Sequence, residues 1–195
     1  MNAAASLPQR LKTDFWGTMA ELRKRRGIWL LLAGTALVME LFSWGFFQTL
    51  LDLKPCELCV YIRFSMLAIC VGALVATIRP GSIFFRLAGY ALTLWWTVQG
   101  FLWSLRLHNE NLKAADPDWI SACAGIPSFP FGLPLHKWLP SHFQPLAVCG
   151  EDSAWSLLGL TMPEWLFVVY GCFALGILLM LVSGMKQCLA GRKKQ

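Results

Sequence analysis

Residues 55–63 read Pro-Cys-Glu-Leu-Cys-Val-Tyr-Ile-Arg, and from position 60 the chain stays apolar to position 78 with Arg63 as its only charge. A helix needs about 20 apolar residues to cross about 30 Å of hydrocarbon, so the pair Cys56 and Cys59 stands at the mouth of a membrane span. Three further stretches have the same character. Residues 27–51 are interrupted only by Glu40, and 87–105 and 165–185 carry no charge. Backbone groups in lipid must pair within their own segment, which makes helices the expected state. The composition agrees. Hydrophobic residues make up 56% of the 195 and charged residues 14%, with a mean hydropathy of +0.53. Soluble domains carry about 25% charged residues, and disordered chains lack this aromatic content. The fold class read from the chain is an all-α membrane protein, a four-transmembrane-helix bundle with a long loop between helices 3 and 4. The first span is too long for a cleavable signal peptide and has no small-residue cleavage site after it.

Charge outside the spans sets the orientation. The leader 1–26, the turn after the second span and the tail 186–195 hold 12 of the 17 basic residues. By parity these regions share one face, and the positive-inside rule makes it cytoplasmic. The loops 52–59 and 106–164 then lie outside. Within the leader, Leu11, Phe15, Met19 and Leu22 recur at helical spacing, which fits either an interfacial helix or a disordered basic arm. The stretch Trp155-Ser-Leu-Leu-Gly-Leu160 fits a surface-resting segment.

Of seven cysteines, Cys56, Cys59, Cys123 and Cys149 fall on the outer face. Disulfides persist on an oxidising face, and an even number suggests two bridges whose connectivity four cysteines leave open. Cys56-Glu-Leu-Cys59 forms a short ring suited to redox cycling. A Cys₄ zinc site usually draws on two short-spaced pairs, whereas here one pair has that spacing, so no metal is expected. Structural bridges are the other alternative, but a static staple seldom needs a C-x-x-C at the end of a span. Cys70 and Cys172 lie within spans and Cys188 just beyond one, and they read as packing residues.

Arg63 follows Cys59 by one helical turn and faces the same way. An ionisable residue at that depth is costly and a functional candidate, with snorkelling to the headgroups as the plain alternative. Its charge would stabilise a Cys59 thiolate and polarise an acceptor's carbonyl oxygen. Glu40 lies mid-span with no partner that the sequence can name. His108 stands just beyond the third span, while His136 and His142 lie deep in the loop. The chain has no Rossmann glycine fingerprint, haem-attachment motif or P-loop, so the electron acceptor expected by exclusion is a lipid-soluble quinone.

These residues resemble the DsbB family of bacterial inner-membrane quinone reductases. The likeness runs from Glu40 through Pro55-Cys56-Glu-Leu-Cys59-Val-Tyr61-Ile-Arg63, His108, Cys123 and Cys149 to Trp155-Ser-Leu-Leu-Gly-Leu-Thr-Met-Pro163-Glu-Trp165. C-x-x-C-x-x-x-R between the first two spans is its most specific part. The resemblance implies that a Cys123–Cys149 bridge accepts electrons from a DsbA-like periplasmic thiol oxidase, Cys123 being attacked. Cys56–Cys59 would then reoxidise that pair and pass the electrons to ubiquinone or menaquinone. Cys59 would face the quinone ring, with Arg63 and His108 as cofactor-binding residues. The relay is the one that keeps the bacterial periplasm oxidising. Glu57 between the paired cysteines and the long basic leader are similar to the DsbI-type branch, which serves a dedicated DsbL-like partner. An acidic group there would oppose thiolate formation. Residues 106–164 hold three basic and six acidic side chains, implying a partner with a basic docking face and no nucleic acid. Vitamin K epoxide reductase-like proteins also combine four helices, C-x-x-C and quinone, but there the motif usually ends the last span.

Overall fold

The computed structural model describes residue 9, residues 12–114, 116, 118–121, 123, 125–150 and 155–192. Leu11, Glu151 and Asp152, which entered the sequence reading, lie outside them, as do Arg10, Lys193 and Lys194. The chain opens with α1 (Phe15–Leu22), then α2 (Arg26–Phe42), which passes into a π-helical segment, Ser43–Leu50. The long helices α3 (Glu57–Ile78), α4 (Ile83–Lys113) and α7 (Met162–Arg192) follow. Between α4 and α7 come a short 3₁₀ turn, α5 (Leu135–Trp138), α6 (Pro140–Phe143) and a two-residue hairpin pairing Ser156–Leu157 with Leu160–Thr161.

Among the described residues three helical stretches are long and apolar enough to cross a membrane, Arg26–Leu50, Glu57–Ile78 and Met162–Leu189. At 31 residues α4 has the length, but Thr, Gly, Gln and Trp dilute its hydropathy. Its polar positions face inward. Thr93, Thr97 and Ser104 are buried, and each hydroxyl donates to a carbonyl four residues back at 2.7–2.8 Å. Back-bonding of this kind satisfies a hydroxyl within its own helix and lets neighbours approach. α3 and α4 approach closely where a Cβ at Gly89 would stand 2.6 Å from that of Ala76. Trp29, Ala33, Ile69, Tyr90, Tyr170 and Ile177 belong to the one large core that joins the four long helices.

The helices extend beyond the spans read from the sequence, the third beginning at Ile83 and the last running from Met162 to Arg192, and two of the differences bear on the site. The second long helix starts at Glu57, with Cys56 as its N-cap, so the C-x-x-C lies on the first helical turn. The third continues to Lys113 and carries Arg106, His108 and Glu110. Within the leader, Phe15–Leu22 is helical. Asp14 caps it by accepting from Gly17 N at 3.0 Å. It lies against the end of α7, with Lys186 Nζ 3.6 Å from the Trp16 ring centroid and Arg23 donating to Gln187 at 3.1 Å. Trp155 leads into the hairpin, and Phe47 meets it edge-on at 4.7 Å.

Candidate redox site

The first turn of α3 places both cysteines of the motif. Cys56 Sγ accepts from the Cys59 backbone N–H at 3.2 Å, so the sulfur sits among the unpaired amides that give a helix N-terminus its positive character. Cys56 is buried, and Cys59 is partly exposed. A side-chain hydrogen bond with the Cys59 thiol, then burial, push the Cys56 thiol well above the usual range, against the lowering pull of the Cys59 backbone N–H. The two are free thiols, while Cys123 and Cys149 form a disulfide with 6.1 Å between their Cα atoms. Cys149 is fully buried in the same packed cluster as Cys56, with Cys59 and Cys123 against it.

Two sets of hydrogen bonds hold the loop over the motif. The Pro55 carbonyl accepts from Leu146 N at 2.8 Å and Ala147 N at 3.3 Å, just ahead of Cys149. On the other side, Tyr61 O–H donates to Glu57 Oε1 at 2.9 Å and accepts from Ser128 N at 2.8 Å. Glu57 Oε2 accepts from Gly125 N at 3.3 Å. Glu57 therefore serves as a tether for the segment after Cys123, a use that its place between two cysteines did not suggest.

Arg63 does not snorkel. It is 4% exposed, and its Nη1 donates to Gln48 Oε1 at 2.7 Å and to the His142 carbonyl at 3.2 Å. Gln48, from the wide π-helical turn, in turn donates to the Ser141 carbonyl at 2.8 Å. Such turns recur at functional sites. Glu40 finds the partner that the sequence could not name, with its Oε1 2.6 Å from His142 Nε2. The pair joins residues 102 apart, and the one available signal was an intramembrane carboxyl in need of a partner.

Glu40, Cys59 and Arg63 line one cavity of about 720 Å³ between α2, α3 and α7, whose walls are otherwise mostly apolar side chains such as Met39, Ile62, Met66 and Phe173. Arg63 is within electrostatic reach of Glu40, Cys59 and Cys56. His108 is not among the lining residues, although its neighbour Leu107 is. It packs edge-on to Phe167 at 5.6 Å between ring centroids. Cys70 is buried in the core, and Cys172 and Cys188 are exposed on α7. Among the described residues no three His, Cys, Asp or Glu gather as a metal would require.

Comparison with known proteins completes this picture. The family model for "Disulfide bond formation protein DsbB" matches residues 25–180. The chain belongs to the DsbB family. This DsbB-family chain is 38% identical over 169 residues to "Disulfide bond formation protein B" of Mannheimia succiniciproducens, covering 87% of this chain and 90% of that one. It is 36% identical over 168 residues to "Putative protein-disulfide oxidoreductase DsbI" of Shewanella oneidensis, covering 80% and 79%. An Escherichia coli "Protein-disulfide oxidoreductase DsbI" is 33% identical over 168 residues, with 82% and 75% covered.

Proposed function

We propose that this chain is a membrane thiol:quinone oxidoreductase that reoxidises a periplasmic DsbA-like thiol oxidase and passes the electrons to ubiquinone or menaquinone. The observation that carries the reading is the place of Cys59. It lines the apolar cavity with Arg63 while its partner Cys56 packs in one cluster with the Cys123–Cys149 bridge. All four long helices cross the inner membrane in this reading, both termini are cytoplasmic and both cysteine pairs face the periplasm, as the basic leader and tail favour.

The residues suit a quinone. The cavity is largely apolar, as a ring with a lipid tail requires, and offers a thiol, a guanidinium and a carboxyl at one end. When bound, a quinone supplies a two-electron acceptor within the bilayer. The partner's dithiol reduces Cys123–Cys149 through attack on Cys123, and the partner leaves as a disulfide. The Cys123 and Cys149 thiols then reduce a Cys56–Cys59 bridge. Cys59, partly exposed and on the cavity side, is the thiolate, while the raised Cys56 thiol keeps its proton until the ring closes. Arg63 is held rigidly by Gln48 and the His142 carbonyl, so its charge serves both that thiolate and an acceptor oxygen. His108 would act from the rim, beside Phe167. The acidic residues of 106–164 favour a partner with a basic face, of the DsbL kind, and their effect would lie chiefly in association rate.

The test is quinone reduction by purified protein supplied with a reduced DsbA-like oxidase. Wild type turns over, and Cys56→Ser and Cys123→Ser each stop it. A quinone that stays oxidised with a competent partner and folded wild-type protein overturns the reading.

A further inference from the structure

We propose that Glu40 is the proton donor to the acceptor in the cavity, recharged from the outer face through His142. This rests on the quinone reading above. Glu40 is 2% exposed and its Oε1 is held 2.6 Å from His142 Nε2, yet its buried Oε2 has no hydrogen-bond partner. That carboxyl lines the cavity shared with Cys59 and Arg63. A buried oxygen without a partner is unfavourable, and an O–H at Oε2 finds no acceptor among the described residues, so the acceptor we assign to it is a molecule in the cavity that Glu40 lines. The imidazole side chain is 18% exposed, so the pair spans from loop solvent to the cavity.

The neighbouring groups are otherwise engaged. Arg63, from α3, is bonded to Gln48 and the His142 carbonyl and keeps its proton at all working pH values. Tyr170, from α7, shares its hydroxyl with Ser65 and the Ile62 carbonyl. Cys59, also on α3, ionises to become the nucleophile. Lys54 and the Cys172 thiol of α7 also line the cavity, but of its lining acids Glu40 is the one bonded to a group that reaches the outer loop.

The step balances as follows. Cys59 releases its proton to water, and the Cys56–Cys59 S–S bond forms with two electrons leaving for the quinone. The Cys56 thiol proton and the Oε2 proton of Glu40 complete the quinol. His142 Nε2–H passes its proton to Oε1 of the Glu40 carboxylate and Nδ1 takes one from outer water, replacing the proton that Cys59 gave up. Rotation of the carboxyl brings the O–H back to the Oε2 position, and the imidazole returns to its Nε2–H tautomer before the next turnover. The net change is dithiol plus quinone to disulfide plus quinol.

The test uses the full chain in lipid nanodiscs with dithiothreitol as reductant and ubiquinone-1 as acceptor. Prereduced Glu40→Gln is oxidised about 100-fold more slowly than wild type, the size of a general-acid contribution, and Glu40→Asp recovers part of the rate. His142→Gln shifts the pH profile of that step. Without any quinone, infrared spectroscopy follows exchange of the carboxyl proton into D₂O. The Glu40 band is absent in Glu40→Gln, and its exchange is slowed in His142→Gln. Wild-type oxidation rate and pH profile in Glu40→Gln, or wild-type exchange in His142→Gln, overturns the proposal and leaves the pair as a latch for the loop. Should Glu40→Gln not fold, Glu40→Asp and His142→Gln decide it by the same readouts. If wild type oxidises no dithiol with quinone, the quinone reading fails, and the exchange experiment still decides the relay.

Discussion

Tyr61→Phe removes one oxygen and leaves the ring, which stacks on Trp103 at 5.2 Å and meets Phe129 edge-on at 5.7 Å. The lost hydroxyl donates to Glu57 Oε1 and accepts from Ser128 N, so one neutral and one charge-assisted hydrogen bond vanish together. Such bonds contribute about 1 and about 1.5–3 kcal/mol net, and water recovers part of that at a half-buried site, leaving about 2 kcal/mol. At about 1.4 kcal/mol per factor of ten, the loop segment after Cys123 opens about 30-fold more often. Amide hydrogen exchange reads this directly. Ser128 N–H is expected to exchange about 30-fold faster, and Gly125 N–H to follow because Glu57 loses its own anchor. Leu146 N–H, bonded to Pro55, stays at its wild-type rate. Reduction of the Cys123–Cys149 bridge by a small thiol should quicken in step. Unchanged exchange at Ser128 would refute the tether, and equal acceleration at Leu146 would show that the whole loop moves as one unit.

The raised Cys56 thiol gives a pH dependence of defined sign. A group whose folded value is raised contributes stability that is fully present below its unfolded value and is lost as pH rises through the folded one. Thermal melts of the reduced protein should therefore fall at alkaline pH, and Cys56→Ser should lack that component. Near neutral pH, iodoacetamide followed by peptide mapping should find the label on Cys59 and not on buried Cys56. Gly100→Ala places a Cβ into the Tyr170 ring and should cost about 1–3 kcal/mol, seen as a lower melting temperature. Gly171→Ala, where a Cβ meets nothing within 4 Å, is the matched control and should melt no lower than wild type, since Ala favours a helix interior over Gly by about 1 kcal/mol.

The legibility of this chain divides along a physical line. Span character is a local property, set by some twenty side chains that must match hydrocarbon, so three helices could be read directly and α4 from its lack of charge. The Cys56, Cys59 and Arg63 spacing was equally local, since one helical turn places i and i+4 on one face. The helix start was missed by three residues because Cys56 caps it with a sulfur, a weaker signal than a capping oxygen. Glu57 was judged by its sequence neighbours, and its carboxylate instead binds a loop 68 residues away.

The sequence by itself determined membrane residence and the placement of Cys59 and Arg63 one helical turn apart, because each follows from composition or from spacings within a turn. Tertiary structure alone decided that Arg63 is buried on Gln48, that His142 and not His108 reaches Glu40, and that Cys59 shares a cavity with Arg63 and Glu40. Those pairings join groups from different helices and a loop rich in proline. They are chosen by the cost of leaving a buried charge or polar atom alone, a quantity that exists only once the helices have packed.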